Sequence, residues 1–168
     1  MKPKYIIGHI ETAAGKIPKI SCTLTILDRI RNSMTGHERG RRNYKVLPGL
    51  YAIGNPNVDS KVLATANYKL TFDIVRQGLE NSNIWLLILD TNGINVWCSS
   101  AAGVFGTEEL LKKIKETQLD KIISKKEIII PPLGIQSFSS SKTKKDSGFD
   151  LVLGPADVTT LKQNTNHK

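Results

Sequence analysis

The sequence predicts an α/β domain built on a mostly parallel sheet flanked by helices. Three observations predict it. Short apolar runs at 61–66, 84–89 and 127–130 read as strands. Segments with helical spacing of apolar residues separate them, and Asn, Gly or Pro stops each run. The clearest run is Ile84-Trp85-Leu86-Leu87-Ile88-Leu89, bounded by Asp90 and an Asn92-Gly93 turn. An unbroken apolar stretch of that length fits a strand buried on both faces better than an amphipathic helix.

Taken in order, residues 1–43 read as an N-terminal extension, partly helical. Leu24, Leu27, Ile30 and Met34 follow helical spacing opposite Asp28, Arg29 and Arg31, Gly36 ends the stripe, and 38–43 form an exposed basic link. Pro48-Gly49 and Asn55-Pro56 bracket a short extended piece, and 55–60 are turn-rich. A strand at 61–66 precedes a helix over 72–79, capped by Thr71, with Phe72, Val75 and Leu79 on one face. The 84–89 strand follows. Past Cys98, Thr107 is the expected N-cap of a helix with Glu108 and Glu109 in its first turn and Leu110, Leu111 and Ile114 as its apolar stripe. Residues 127–130 form a strand stopped by Pro131-Pro132. The Ser- and Lys-rich stretch 136–148 is a surface loop or short helix. Residues 151–153 form a last strand, Gly154-Pro155 turns the chain, and a closing helix lies near 157–163. The domain spans 44–162 and a polar tail covers 163–168.

Composition narrows the function. The chain has 168 residues, enough for one domain with a real core, and 39% of them are hydrophobic, which argues against general disorder. No apolar run reaches the roughly 18–20 residues of a membrane helix, and Tyr5-Ile6-Ile7 is too short for a signal peptide. A cytoplasmic location is therefore expected. The net charge of +9 suits an anionic surface such as the inner face of the cell membrane. The basic residues are not interleaved with aromatics, so nucleic acid is not an expected partner. Two cysteines, Cys22 and Cys98, are too few and too distant for a zinc site or a CxxC pair, and His9, His37 and His167 share no ligand spacing. Cys22 reads as a small buried hydrophobe. No GxGxxG or GxxxxGK[ST] motif is present.

Cys98 has two readings on the residues alone. It is a packed thiol beside Trp97, or it belongs to a site, because ligands of open α/β sheets gather beyond the carboxyl ends of strands. Its surroundings weigh on the choice. Asn95-Val96-Trp97-Cys98, followed by Gly103-Val104-Phe105-Gly106-Thr107-Glu108-Glu109-Leu110, resembles the cap-helix signature of the corrinoid protein of microbial mercury methylation. The stretches 48–56, 65–73 and 128–134, and 147–149 with 154–155, resemble further segments of that family, in the family's order. Its wider relatives are the corrinoid iron–sulfur proteins of the acetyl-CoA pathway.

The resemblance implies a Rossmann-like domain with a cap helix carrying Cys98, and a cobalamin-type corrinoid as cofactor. It implies that Cys98 is the lower axial ligand to cobalt. Thiolate is a soft, strong donor that would push electron density onto the metal and favour methyl transfer, in this family to Hg(II). By resemblance, Thr65, Ala66 and Asn67, Pro132, Leu133 and Gly134, and Gly154 with Pro155 line the corrinoid pocket. Asn95 caps the helix and Trp97 packs it. Asp90, Thr91, Gly93, Val96, Ser99, Ala102 and Gly103 complete the cofactor-binding set. The implied partners are a methyltetrahydrofolate-linked methyl donor enzyme and a ferredoxin-like iron–sulfur reductant. A membrane-spanning domain usually follows in the family, so the chain is either the soluble part of a longer protein or a free-standing relative. One departure stands out: where the family reads Gly-Lys, this chain has Ala101-Ala102. Two other readings remain, a non-catalytic corrinoid- or nucleotide-binding module and a thiol enzyme with Cys98 as nucleophile. The last needs a base that the sequence does not offer.

Overall fold

A computed structural model describes residues 3–26, 28 and 45–162. It contains a seven-stranded sheet in the order β1-β2-β3-β5-β4-β6-β7, with helices on both faces. The strands are β1 (Ile6–Thr12), β2 (Gly15–Ile20), β3 (Gly49–Ile53), β4 (Val62–Ala66), β5 (Ile84–Leu89), β6 (Glu127–Ile130) and β7 (Asp150–Leu153). The helices are α1 (Lys69–Gly78), α2 (Val96–Ala101), α3 (Thr107–Glu116), α4 (Leu119–Ile122) and α5 (Ser140–Ser147). Two 3-10 turns cover Pro132–Ser137 and Val158–Lys162.

The sheet is mixed. Strands β5, β4, β6 and β7 run parallel, β3 is antiparallel to β5, and the antiparallel hairpin β1–β2 joins through a parallel β2–β3 pairing. The hairpin is absent from the sequence expectation. The helical stripe expected over 24–34, the link at 38–43 and the tail at 163–168 fall largely or wholly outside the described residues.

Side-chain alternation divides the core in two. On β5, Trp85, Leu87 and Leu89 face one layer with Phe105, Leu110 and Ile114, while Ile84, Leu86 and Ile88 face another with Phe72, Val75 and Leu79. All six β5 residues are buried, as the apolar run predicts. Strand β4 connects outward to β5 through α1, whereas β6 connects in the opposite direction to β7 through α5. Their adjacency makes a topological switch point, where the crevice beyond the strand ends opens.

Several expected boundaries shift. Helix α1 begins at Lys69 with Tyr68 at the N-cap, so Thr71 lies inside the helix. Gly106, not Thr107, precedes α3, and the buried Thr107 hydroxyl accepts a bond from Ser139 N at 2.8 Å. The 136–148 stretch forms the regular helix α5, capped by the Ser139 side chain. The closing segment is a 3-10 turn, not an α-helix. Cys22 is half-buried.

Candidate functional site

Helix α2 is six residues long, too short to persist without tertiary support, and its sequence supplies that support at both ends. At the start, the Asn95 side chain accepts from Cys98 N at 2.9 Å, an N-cap that satisfies one of the helix's orphan donors. At the base, Val96 and Ser99 are buried, and the Ser99 carbonyl accepts from Val104 N and Phe105 N. Gly103, at φ 72°, lets the chain reverse there. The Ser100 hydroxyl bonds to that of Ser137, tying α2 to the 3-10 turn after β6.

The turn before α2 is organised by Asn67, at the end of β4. Its Oδ1 accepts from Thr91 N at 3.0 Å and Gly93 N at 2.9 Å, and its Nδ2 donates to Asp90 Oδ1 at 3.0 Å. Asn67 and Thr91 are fully buried. Asp90 N donates to Glu109 Oε1 at 2.9 Å, which fastens the same turn to α3.

Beside α2, at the switch point, lies a cleft of about 500 Å³. Its floor includes Leu63, Ala64 and Thr65 of β4, and α1 contributes Thr71, Ile74 and Val75. Asn95, Val96 and Trp97 form another wall, with Pro131 and Leu133 opposite. Ile74, Trp97 and Leu133 remain 58%, 68% and 68% exposed at the rim, a concentration of apolar surface that the core does not use. A second hollow shares Trp97 and Leu133 and adds Ser100, Ala101, Gly103 and Pro132.

The residues singled out by sequence divide accordingly. Thr65, Asn95, Val96, Trp97, Pro132, Leu133 and Gly103 line these adjoining hollows. Asn67, Asp90, Thr91 and Gly93 form the turn that carries α2, and their polar groups are engaged within the protein. Trp97 does not pack the helix, because its ring stands in solvent at the rim. Gly134 lies against Phe105, where an added Cβ would meet the ring at 2.5 Å, so core packing accounts for this glycine. Gly154 and Pro155 border a different hollow with Lys61, Lys125 and Leu161, although the next residues, Ala156 to Val158, reach the main cleft. Ala66, Ser99 and Ala102 line neither hollow; Ala66 and Ser99 are buried, and Ala102 is the exposed C-cap of α2.

Cys98 is a free thiol on the outer, solvent-exposed face of α2. It projects from neither hollow's wall, and it is not the packed thiol that the residues alone suggest. Sequence reasoning missed several lining residues, Ile74, Pro131 and Val158 among them. Of these three, Ile74 alone carried a signal, an apolar residue off the buried stripe of α1. Among the described residues, no group of three or more His, Cys, Asp or Glu side chains is placed to hold a metal ion. Among them, too, no helix is long and apolar enough to cross a membrane.

Comparison with known proteins gives this arrangement a lineage. Residues 30–164 match the family model described as CO dehydrogenase/acetyl-CoA synthase delta subunit. The acetyl-CoA decarbonylase/synthase complex subunit gamma of Methanopyrus kandleri is 35% identical over 72% of this chain and 26% of its own length. That of Methanocaldococcus jannaschii is 38% identical over 70% and 24%. The corrinoid/iron-sulfur protein large subunit of Moorella thermoacetica is 31% identical over 67% and 25%. The chain thus spans about a quarter of the length of these curated relatives. They lie on the acetyl-CoA side of the resemblance, and none is a mercury-methylation protein. With the match covering the sheet from β3 onward, the cap helix and the cleft, the chain belongs to the CO dehydrogenase/acetyl-CoA synthase delta subunit family.

Proposed function

We propose that this chain is the corrinoid-binding domain of a methyl carrier, with the Cys98 thiolate as lower axial ligand to cobalt. One observation carries the reading: a free, exposed cysteine on a capped helix stands at the carboxyl end of the sheet, beside a cleft with an uncovered apolar rim. The residues present suit such a cofactor. A soft donor is accessible, and Ile74, Trp97 and Leu133 offer apolar surface to a large, flat macrocycle. Thr65 and Asn95 supply polar groups beside it. A cleft of about 500 Å³ would take part of a corrinoid, the remainder lying against the outer face of α2.

A bound corrinoid would supply the cobalt that carries and releases a methyl group. This chain's own residues do the rest. Cys98 would present its sulfur to the metal from a helix held at both ends. Trp97, Leu133 and Ile74 exclude water from the covered face. Asn95 fixes the Cys98 backbone through its cap.

For the acceptor we infer Hg(II), a soft electrophile, on the strength of the Asn95-Val96-Trp97-Cys98 signature. Two observations favour a second reading, a carrier for another acceptor or a non-catalytic corrinoid module. The relatives are subunits of acetyl-CoA decarbonylase/synthase complexes, and Ala101-Ala102 replaces the Gly-Lys that the mercury-methylation signature carries. In either reading the proposed partners are a methyltetrahydrofolate-linked donor enzyme and a ferredoxin-like reductant, acting in the cytoplasm at the membrane's inner face.

The test is anaerobic reconstitution with methylcobalamin, comparing the visible spectra of the parent and Cys98→Ala. A bound, base-off spectrum that changes with Cys98→Ala supports thiolate ligation and leads on to methyl transfer to Hg(II). Identical spectra of bound cobalamin would remove Cys98 from the metal. No uptake by either protein would sink the corrinoid reading.

A further inference from the structure

We infer that Asn67 is a positioning residue that sets the cap helix, and with it the Cys98 sulfur, through the 90–95 turn. Its functional meaning rests on the role proposed for Cys98, whereas its structural content does not.

The argument starts from bond direction. Asn67 Oδ1 faces two backbone N–H groups, those of Thr91 and Gly93, and Nδ2 faces the Asp90 carboxylate. A flipped amide would set its own N–H groups against those donors, so the network fixes the orientation. The Asn67 main chain is committed as well: its N–H donates to Leu89 O at 3.0 Å and its carbonyl accepts from Val46 N at 2.9 Å. Asn67 is fully buried, and both polar atoms of its side chain are bonded within the protein. The geometry favours a supporting role for it over direct contact with a cofactor.

A continuous path leads from it to the sulfur-bearing residue. Asn67 holds Thr91 and Gly93. Ile94 N donates to Thr91 O at 3.0 Å, and the Thr91 hydroxyl lies 2.6 Å from Ile94 O. Asn92 and Gly93 take φ of 56° and 74°, the left-handed region that asparagine and glycine adopt most readily. Asn95 follows at once and caps Cys98. The other charged group on this turn is Glu109, bonded to Asp90 N and ion-paired with Lys112 and Lys113; the Lys45 side chain lies over Gly93.

Two substitutions separate positioning from simple support. Asn67→Ala removes acceptor and donor together. Asn67→Asp keeps the acceptor for Thr91 and Gly93 but sets a second carboxylate against Asp90, and when both are ionised they repel and the bridge opens. One shared proton restores the bridge. The readout is amide hydrogen exchange of the corrinoid-free protein, as a ratio to the parent at each pH. Asn67→Ala is expected to raise exchange at Thr91, Gly93 and Cys98 by about tenfold or more. Asn67→Asp should match that increase near pH 8 and return toward the parent near pH 5.

In the reconstituted protein, the Cys98-dependent part of the methylcobalamin spectrum should follow the same pH profile. If Cys98 N keeps parental protection while Thr91 and Gly93 lose theirs, or if Asn67→Asp shows no pH dependence, the proposal is overturned. Should Asn67→Ala fail to fold, the Asn67→Asp profile decides alone. Exchange behaving as expected in a protein that takes up no cobalamin would sink the corrinoid reading while leaving the positioning role intact.

Discussion

Gly134→Ala asks whether a small residue in the proposed pocket serves the cofactor or the core. An added Cβ would lie 2.5 Å from Phe105 Cε1, 2.8 Å from Cδ1 and 3.1 Å from Val96 Cγ1. Contacts below 3.0 Å require something to move, and Phe105 has little freedom. It is fully buried and stacks edge-to-face on Phe138 at 5.2 Å. Overpacking of this kind costs about 1–3 kcal/mol. In a domain of this size each kcal/mol lowers Tm by about 2–4 °C, so a fall of about 2–12 °C is expected. Thermal unfolding of the corrinoid-free protein measures it. A double-mutant cycle with Phe105→Leu should recover about 1 kcal/mol or more of the loss, because a branched aliphatic chain can clear the methyl group. An unchanged Tm accompanied by weaker cobalamin uptake would refute this reasoning and return Gly134 to the cofactor.

Three other outcomes follow from the geometry. Arg76→Ala withdraws a fully buried guanidinium from Asp73 and Asp28 and from the Ser21 and Thr23 carbonyls. Losing it should cost about 3–5 kcal/mol, seen as a Tm fall of about 6–20 °C; a loss below about 1 kcal/mol would mean the cluster relaxes into solvent. Burial acts to raise the Asp28 pKa, but hydrogen bonds from Lys69 and Thr25 and the Lys69 charge outweigh it and hold the carboxyl at about 2, against an ordinary 3.8. The folded-state value is depressed, so this stabilisation is present above pH 3.8 and lost as pH falls toward about 2; Asp28→Asn should flatten the Tm profile across that window. Trp97→Ala should change stability by less than about 0.5 kcal/mol, since the ring is 68% exposed, yet weaken methylcobalamin binding by about tenfold. A destabilised Trp97→Ala protein would show that the ring packs after all.

What the sequence disclosed follows the physics of burial. Strands β4, β5 and β6 were legible because strands buried on both faces are written as unbroken apolar runs. The β1–β2 hairpin was not, because β1 alternates between half-buried and exposed positions and β2 carries Pro18 and two lysines in its interior. Proline argues against an inner strand, and here Pro18 pairs with His9 of β1 alone, because the pairing with β3 begins only at Lys19. The caps assigned to Thr71 and Thr107 misplaced helix starts by a few residues, since threonine also suits the first turn's interior when its hydroxyl finds another partner, as Thr107 does. At the site, the Asn95 cap and the helix bearing Cys98 could be read from spacing and motif. The exposure of Trp97, the outward thiol and the wholly internal bonding of Asn67 could not, because each depends on how the 90–95 turn meets β4.

The cap helix shows how a weak element can hold a group in a defined place. Six residues yield too few intrahelical bonds to offset nucleation, so α2 owes its persistence to what surrounds it. Asn67 fixes the incoming turn, Asn95 caps the first amides, the Ser99 carbonyl receives the departing chain, and Phe105 packs against Gly134 beneath. All of these contacts lie on the inner side of the helix or in the turns beside it. The outer side chains, those of Trp97, Cys98, Ala101 and Ala102, carry none of that burden and stand exposed. Substitution on that face can therefore alter what the helix binds without unfolding it, and Ala101-Ala102, where the mercury-methylation signature has Gly-Lys, lies on it. Relative to that signature, the pair removes a cation and adds a methyl group on the side proposed to face the corrinoid, while favouring the helix itself. Its consequence should appear in ligand spectrum and acceptor choice, not in stability.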